Sequence, residues 1–336
     1  MTLGHIAATA ANAVGPIILL ILLGYLLKSI GFFSPEFIRQ GNKFVFRVCL
    51  PAMLFINVYS IESISSICWD VVAYSVAAVF LLFGLGLLCA TAVTRDSRRR
   101  GVVMQCVFRS NFAIIGLPLA AALGGSQASA VAAVISAFTI PTFNILAVAA
   151  LSLFGGQGGK KSVLKGILTN PLILGVAAGL GCLLLRSAQR ALFGMLVFSF
   201  RRDVPFLYTT VDYLKSIASP LALVVLGGQF AFTAVRGLLK EIAAGVLWRN
   251  FLAPLIGIGG AVLLNALGII HCGSTEYPAM IALFGTPVAV SSAIMAAEMK
   301  ADEQLAAQLV VWTSIFSVLT VFLAVFVLMA TGLLII

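Results

Sequence analysis

Residues 102–125 read VVMQCVFRSNFAIIGLPLAAALGG. The run is apolar and long enough to cross a bilayer core, which takes roughly 20 residues. Yet Arg109, Ser110, Asn111, Gly116 and Pro118 stand inside it. Proline within a helix removes a backbone donor and clashes with the preceding turn. In hydrocarbon the freed carbonyl needs another partner, so such a break survives only inside protein or beside a polar cavity. The second half of the chain carries the same device, Gly285-Thr286-Pro287, within residues 277–299. Pro287 follows Pro118 by 169 positions, as Pro220 follows Pro51. Paired interruptions in corresponding spans of two halves point to a transporter's binding site.

The flanking sequence is of the same kind. Of 336 residues, 61% are hydrophobic and 10% charged, and the mean hydropathy is +1.13. A soluble domain carries about a quarter charged residues, so this chain cannot cover a water-facing surface. We read an all-α polytopic membrane protein of ten transmembrane helices, at 11–30, 39–60, 69–94, 102–125, 127–153, 164–185, 212–234, 241–268, 277–299 and 304–334. The glycine-rich stretch 155–159 divides it into residues 1–155, a first five-helix repeat, and 156–336, a second. Five is odd, so the second repeat enters from the opposite face and is inverted. Helices 4 and 9 are expected to be broken and to cross at mid-membrane. The segment 186–215, with Arg190, Arg201, Arg202 and Asp203, reads as an interfacial amphipathic piece.

The formal charge of +10 marks orientation here and not nucleic acid, because the basic residues cluster in short loops. Those after spans one (Lys28, Arg39, Lys43), three (Arg95, Arg98, Arg99, Arg100), five (Lys160, Lys161, Lys165) and seven (Arg236, Lys240) are expected inside. Both termini are then outside a cell (inner) membrane. The six cysteines show no close pairing, so neither a disulfide framework nor a metal site is expected, and no cofactor.

Two constellations carry the chemistry. Asn111 and Pro118 are seven residues apart, hence on one helical face. Behind the break a half-helix offers free amides and a positive dipole end, which suits a carboxylate. Asn111 can donate and accept, although Asn and Ser also join helices in membranes. The partner constellation is Thr286 and Pro287 with Ser291 and Ser292. Arg109 has two readings: it pairs with an anionic substrate through its planar fork, or it snorkels to the inner interface. Glu298, near the end of span nine, is interfacial or couples protons. Arg47 points to the inner surface. Asn57, Asn144, Gln229 and Asn265 read as helix–helix contacts.

Asn111-Phe112-Ala113-Ile114-Ile115-Gly116-Leu117-Pro118 resembles the fourth helix of the auxin efflux carrier family, bacterial relatives of plant PIN-type carriers. Gly15-Pro16 through Gly24-Tyr25-Leu26-Leu27-Lys28 and Gly31-Phe32 is similar to its first helix. Leu50-Pro51-Ala52 with Leu54-Phe55 is similar to its second. Thr286-Pro287 through Ala297-Glu298-Met299 is similar to its ninth. The resemblance implies ten helices in a 5+5 inverted repeat, with helices four and nine crossing beside a scaffold that includes helices two and seven. It also implies transport of small organic anions such as auxin, malonate or malate. It gives Asn111 and Pro118 the crossover role and Pro287 the partner role. The chain lacks the long central loop of plant members.

The expected activity is therefore alternating-access transport of a small organic anion by a non-enzyme in the lipid bilayer, with a homodimer one possible assembly. A sodium-coupled carrier of the bile-acid or sodium–proton type is the competing transporter. An intramembrane enzyme fits poorly, because His5 and His271 lie near span ends and every aspartate lies in a loop or at a span end.

Overall fold

The computed structural model describes residues 16, 19–60, 69–154, 169, 171–229 and 232–334. The glycine-rich divide at 155–159, Lys160, Lys161, Lys165, His5, and the Gly15 of the first-helix motif lie outside them. So do the side chains of Asn57, Pro118 and Gln229. In chain order the helices are α1 (Leu19–Ser29), α2 (Pro35–Phe44), α3 (Leu50–Tyr59), α4 (Trp69–Val93), α5 (Ser97–Phe108), α6 (Phe112–Gly125), α7 (Gln127–Phe154), α8 (Pro171–Phe193), α9 (Pro205–Gly228), α10 (Leu239–Ala266), α11 (Glu276–Phe284), α12 (Val290–Glu298) and α13 (Glu303–Ala330). Five of them, α4, α7, α9, α10 and α13, are long and apolar enough to cross a membrane.

Local chemistry explains where these helices start. Ser34 caps α2, its Oγ accepting from Phe37 N at 3.1 Å, with Pro35 at the first helical position, where its missing N–H costs nothing. Asp96 caps α5 and Asp302 caps α13 in the same manner. Gly125 turns α6 into α7 with φ +65°, a left-handed conformation open to glycine at little cost.

The prolines act differently from the expectation. A π turn at Val45–Cys49 precedes Pro51, another at Phe112–Gly116 precedes Pro118, and a third at Trp248–Leu252 precedes Pro254. A π turn bonds five residues back, which relieves the clash between the proline ring and the preceding turn. Pro141 and Pro220 lie within continuous helix. The break expected at Gly116-Leu117-Pro118 is instead at Arg109–Asn111. There Arg109 is extended (φ −94°, ψ 108°) and Asn111 is non-helical (φ −82°, ψ 47°). Asn111 and Pro118 therefore do not share a helical face. In the second half the interruption does contain its proline, since Pro287 lies between the end of α11 and the start of α12.

The segment 186–215, expected as one piece joining spans six and seven, is divided among three helical elements. Helix α8 runs on to Phe193 and α9 begins at Pro205, with one helical turn, Phe200–Asp203, between them. The connection is ordered by its own chemistry. Arg186 donates to Tyr59 O at 2.7 Å and lies 4.5 Å from that ring's centroid. Arg202 and the Ser199 N–H hold the Asp203 carboxyl below its usual pKa range.

Packing sorts α2 to α13 into two sets. One is α2, α3, α8 and α9; the other is α4 to α7 with α10 to α13. They meet along a seam where α12 touches the Val45–Cys49 turn and α9. Contacts between the connections sort them into two groups as well. Arg99 reaches Asp302 at 3.0 Å and Glu241 at 3.1 Å, and Arg47 lies 3.8 Å from Glu298. In the second group, Asp70 accepts from His271 N at 2.8 Å and Tyr59 pairs with Ser199 at 3.1 Å.

Candidate functional site

The two interrupted stretches are hydrogen bonded to each other. Ser110 and Val288 form an antiparallel bridge. Asn111 N donates to Pro287 O at 2.7 Å, and Ala289 N donates to Arg109 O at 3.3 Å. Val288 N is satisfied from a third helix, by Thr313 Oγ1 at 3.2 Å. The paired residues are 110 and 288, 178 positions apart, so the 169-residue spacing of the prolines does not measure the spacing of the interruptions. The chain can leave helical geometry here because the Asn111 and Ala289 amides find acceptors on the opposite stretch and the Val288 amide finds one on α13.

Arg109 lies in this junction and is 3% exposed. It does not snorkel, because helix α5 has ended and its side chain turns inward. The guanidinium donates to Gln105 Oε1 at 3.0 Å, Asn144 Oδ1 at 2.7 Å and Ser291 Oγ at 2.9 Å, and also contacts Met295 Sδ. All four partners are neutral. A buried ion without a counter-charge costs several kcal/mol. Next to it the Ser110 hydroxyl and the Asn111 Nδ2 amide are buried with no hydrogen-bond partner among the described residues. Each such group costs about 1–3 kcal/mol.

These groups share a pocket. Arg109, Ser110, Asn111, Asn144, Ala289 and Ser291 line it from one helix set, while Leu50, Met53 and Leu54 of α3 close it from the other. Its volume is about 40 Å³, room for roughly three waters. Among the described residues no Asp or Glu lines it.

The other expected site residues lie elsewhere. The Thr286 hydroxyl, just past the end of α11, is spent on Ala282 O in the last turn of that helix at 2.9 Å. Pro287 contributes its carbonyl to the junction. Ser292 is buried behind it, beside Gln105 and Val288 in a cavity of about 10 Å³. At Gly116 a Cβ would stand 2.8 Å from Ala282 O, so this glycine permits close approach of α6 and α11. Glu298 ends α12 on the seam, against Arg47, whose side chain is 65% exposed. Asn265 holds Tyr277 OH and Cys272 N, a helix contact as expected.

Asn144 joins α7 to the junction, a contact between segments as expected, but its partner is the Arg109 guanidinium, which the sequence reading did not foresee. One residue escaped that reading. Arg249 is 0% exposed on the π turn of α10. Its signal was an arginine inside an apolar run, which is costly and usually functional.

Comparison with known proteins points to a membrane transporter. A 23% identical protein from Methanothermobacter thermautotrophicus, described as an uncharacterized transporter, aligns over 313 residues, 90% of this chain and 93% of its own length. A family model described as membrane transport protein matches residues 9–325. The chain therefore belongs to the membrane transport protein family, the auxin efflux carrier family whose motifs it carries.

Proposed function

We propose that this protein is a secondary transporter that carries a small organic anion, such as a mono- or dicarboxylate or an auxin-like acid, by alternating access. The observation that carries the reading is Arg109: a buried cation held by neutral partners, beside two unpartnered donors facing the same pocket. One carboxylate satisfies all three demands. Its oxygens accept from the guanidinium, the Asn111 amide and the Ser110 hydroxyl, and it supplies the missing charge. Half-helix amides at the starts of α6 and α12 add their dipole.

On this reading ten spans form a 5+5 inverted repeat, and the junction of α5/α6 with α11/α12 is the mid-membrane crossing. The interrupted helices and their neighbours form the moving unit, and α2, α3, α8 and α9 form the scaffold. A cavity of about 40 Å³ is too small for a dicarboxylate, so binding requires the units to shift along the seam. The connections at 95–96 and 299–302 face the cytoplasm of a cell (inner) membrane, and the opposite group, with both ends of the chain, faces outward. A sodium-coupled mechanism draws no support from the pocket, whose one ionic group is a cation.

Purified protein in liposomes, given labelled malonate and indole-3-acetate, tests the reading. Uptake of at least one is expected, reduced at least about tenfold by Asn111→Ala, the loss of one charge-assisted hydrogen bond. Absence of uptake and binding for both acids would remove the substrate class. Unchanged transport in Asn111→Ala would remove the site.

A further inference from the structure

Arg249 is a second buried arginine, and nothing in the transport reading uses it. One terminal nitrogen donates to Val107 O at 3.3 Å, and the other donates to Phe284 O. Val107 lies in the last turn of α5, and Phe284 is the last residue of α11. These are carbonyls that a helix leaves without partners at its C-terminus, where the macrodipole places about half a negative charge. Two such ends, from the two interrupted helices, converge on one guanidinium. A planar fork with divergent donors can serve both at once, which a single ammonium on a flexible stem does less well. Adjacent bonds pin the same place to α13: Asn250 Nδ2 donates to Thr313 O at 2.9 Å, and Thr320 Oγ1 donates to Asn250 O at 2.8 Å. Thr313 in turn receives the Val288 amide.

We propose that Arg249 is a positioning residue that clamps the carbonyl ends of α5 and α11. It thereby sets the placement of Arg109–Asn111 against residues 286–289, from which the pocket's donors project. It does not line the pocket, so it acts through the junction and not on a ligand. The clamp neutralises the negative ends of the two helices while leaving the positive ends of α6 and α12 available. It also makes the junction one rigid piece during any movement of the surrounding helices.

Hydrogen–deuterium exchange of the full chain in lipid nanodiscs tests this for Arg249→Gln and Arg249→Lys against the unaltered protein. The Asn111 and Ala289 amides, which bond across the junction, are expected to exchange at least about tenfold faster in Arg249→Gln, as for a local opening. Arg249→Lys is expected to fall between, while α3, α8 and α13 keep their protection. Unchanged exchange at both amides would overturn the clamp. So would a uniform acceleration along the whole chain, which marks a residue needed only for folding. If Arg249→Gln cannot be purified, Arg249→Lys alone decides between the same outcomes. The measurement needs no substrate, so its failure is separate from failure of the transport reading.

Discussion

Arg109 sits where a helix stops, and its side chain must be satisfied by whatever the neighbouring helices present. They present an amide oxygen from Gln105, another from Asn144 and a hydroxyl from Ser291. No single partner matches its charge, but three fix its orientation. A lysine here keeps the charge and loses the fork, so it cannot hold this geometry and meet a carboxylate through two parallel bonds. Arg109→Lys is expected to raise the KM for the transported anion at least about tenfold, the loss of one strong hydrogen bond, with a smaller effect on the maximal rate. Liposome uptake over a concentration series measures both. An unaltered KM would mean the guanidinium is structural only. That an arginine occupies an apolar run was plain from the sequence. Whether it snorkelled or turned inward depended on where α5 ended, and the proline misled on that point. The real end at Phe108 is set by the bonds of Asn111 and Ala289 to a stretch some 180 residues away, which local propensity cannot encode.

At the level of elements, prolines in this chain mark π turns more often than breaks. Pro51, Pro118 and Pro254 each follow one, so a proline within an apolar run shows strain without showing how it is relieved. The seam between the helix sets is the second feature at this scale. Arg47 and Glu298 face each other across it at 3.8 Å, with the arginine 65% exposed. Such a pair is worth about 0–1 kcal/mol, a contact weak enough to part when the sets slide. Glu298→Gln is therefore expected to retain transport within about fivefold, the rate equivalent of that energy, and to leave its response to an imposed pH gradient unaltered. Loss of a pH-gradient response in this variant would instead make Glu298 a proton carrier.

For the whole molecule, the contacts among connections predict two opposed faces. Arg95, next to the Asp96 that caps α5, belongs with the group joined by Arg99, Glu241 and Asp302; His271 belongs with Asp70. Single cysteines at Arg95 and at His271, in a background cleared of other thiols, are expected to react with an impermeant maleimide from opposite sides of the membrane, Arg95→Cys from the cytoplasm. Labelling of both from one side would overturn the topology. Hydropathy placed α4, α7, α10 and α13 within about four residues of their observed ends, because burying an apolar face in lipid is a local, additive property of the chain, whereas α8 and α9 lie six to eight residues from the expected 164–185 and 212–234. The membrane class and the polar residues of the candidate site followed from composition and from single unusual residues in apolar runs. The exact interruption, the inward turn of Arg109, the recruitment of Asn144 and the convergence of two helix ends on Arg249 came only with the tertiary structure. Each depends on which backbone groups from distant segments meet, and an unsatisfied amide or carbonyl in a membrane is too costly to be left to local preference.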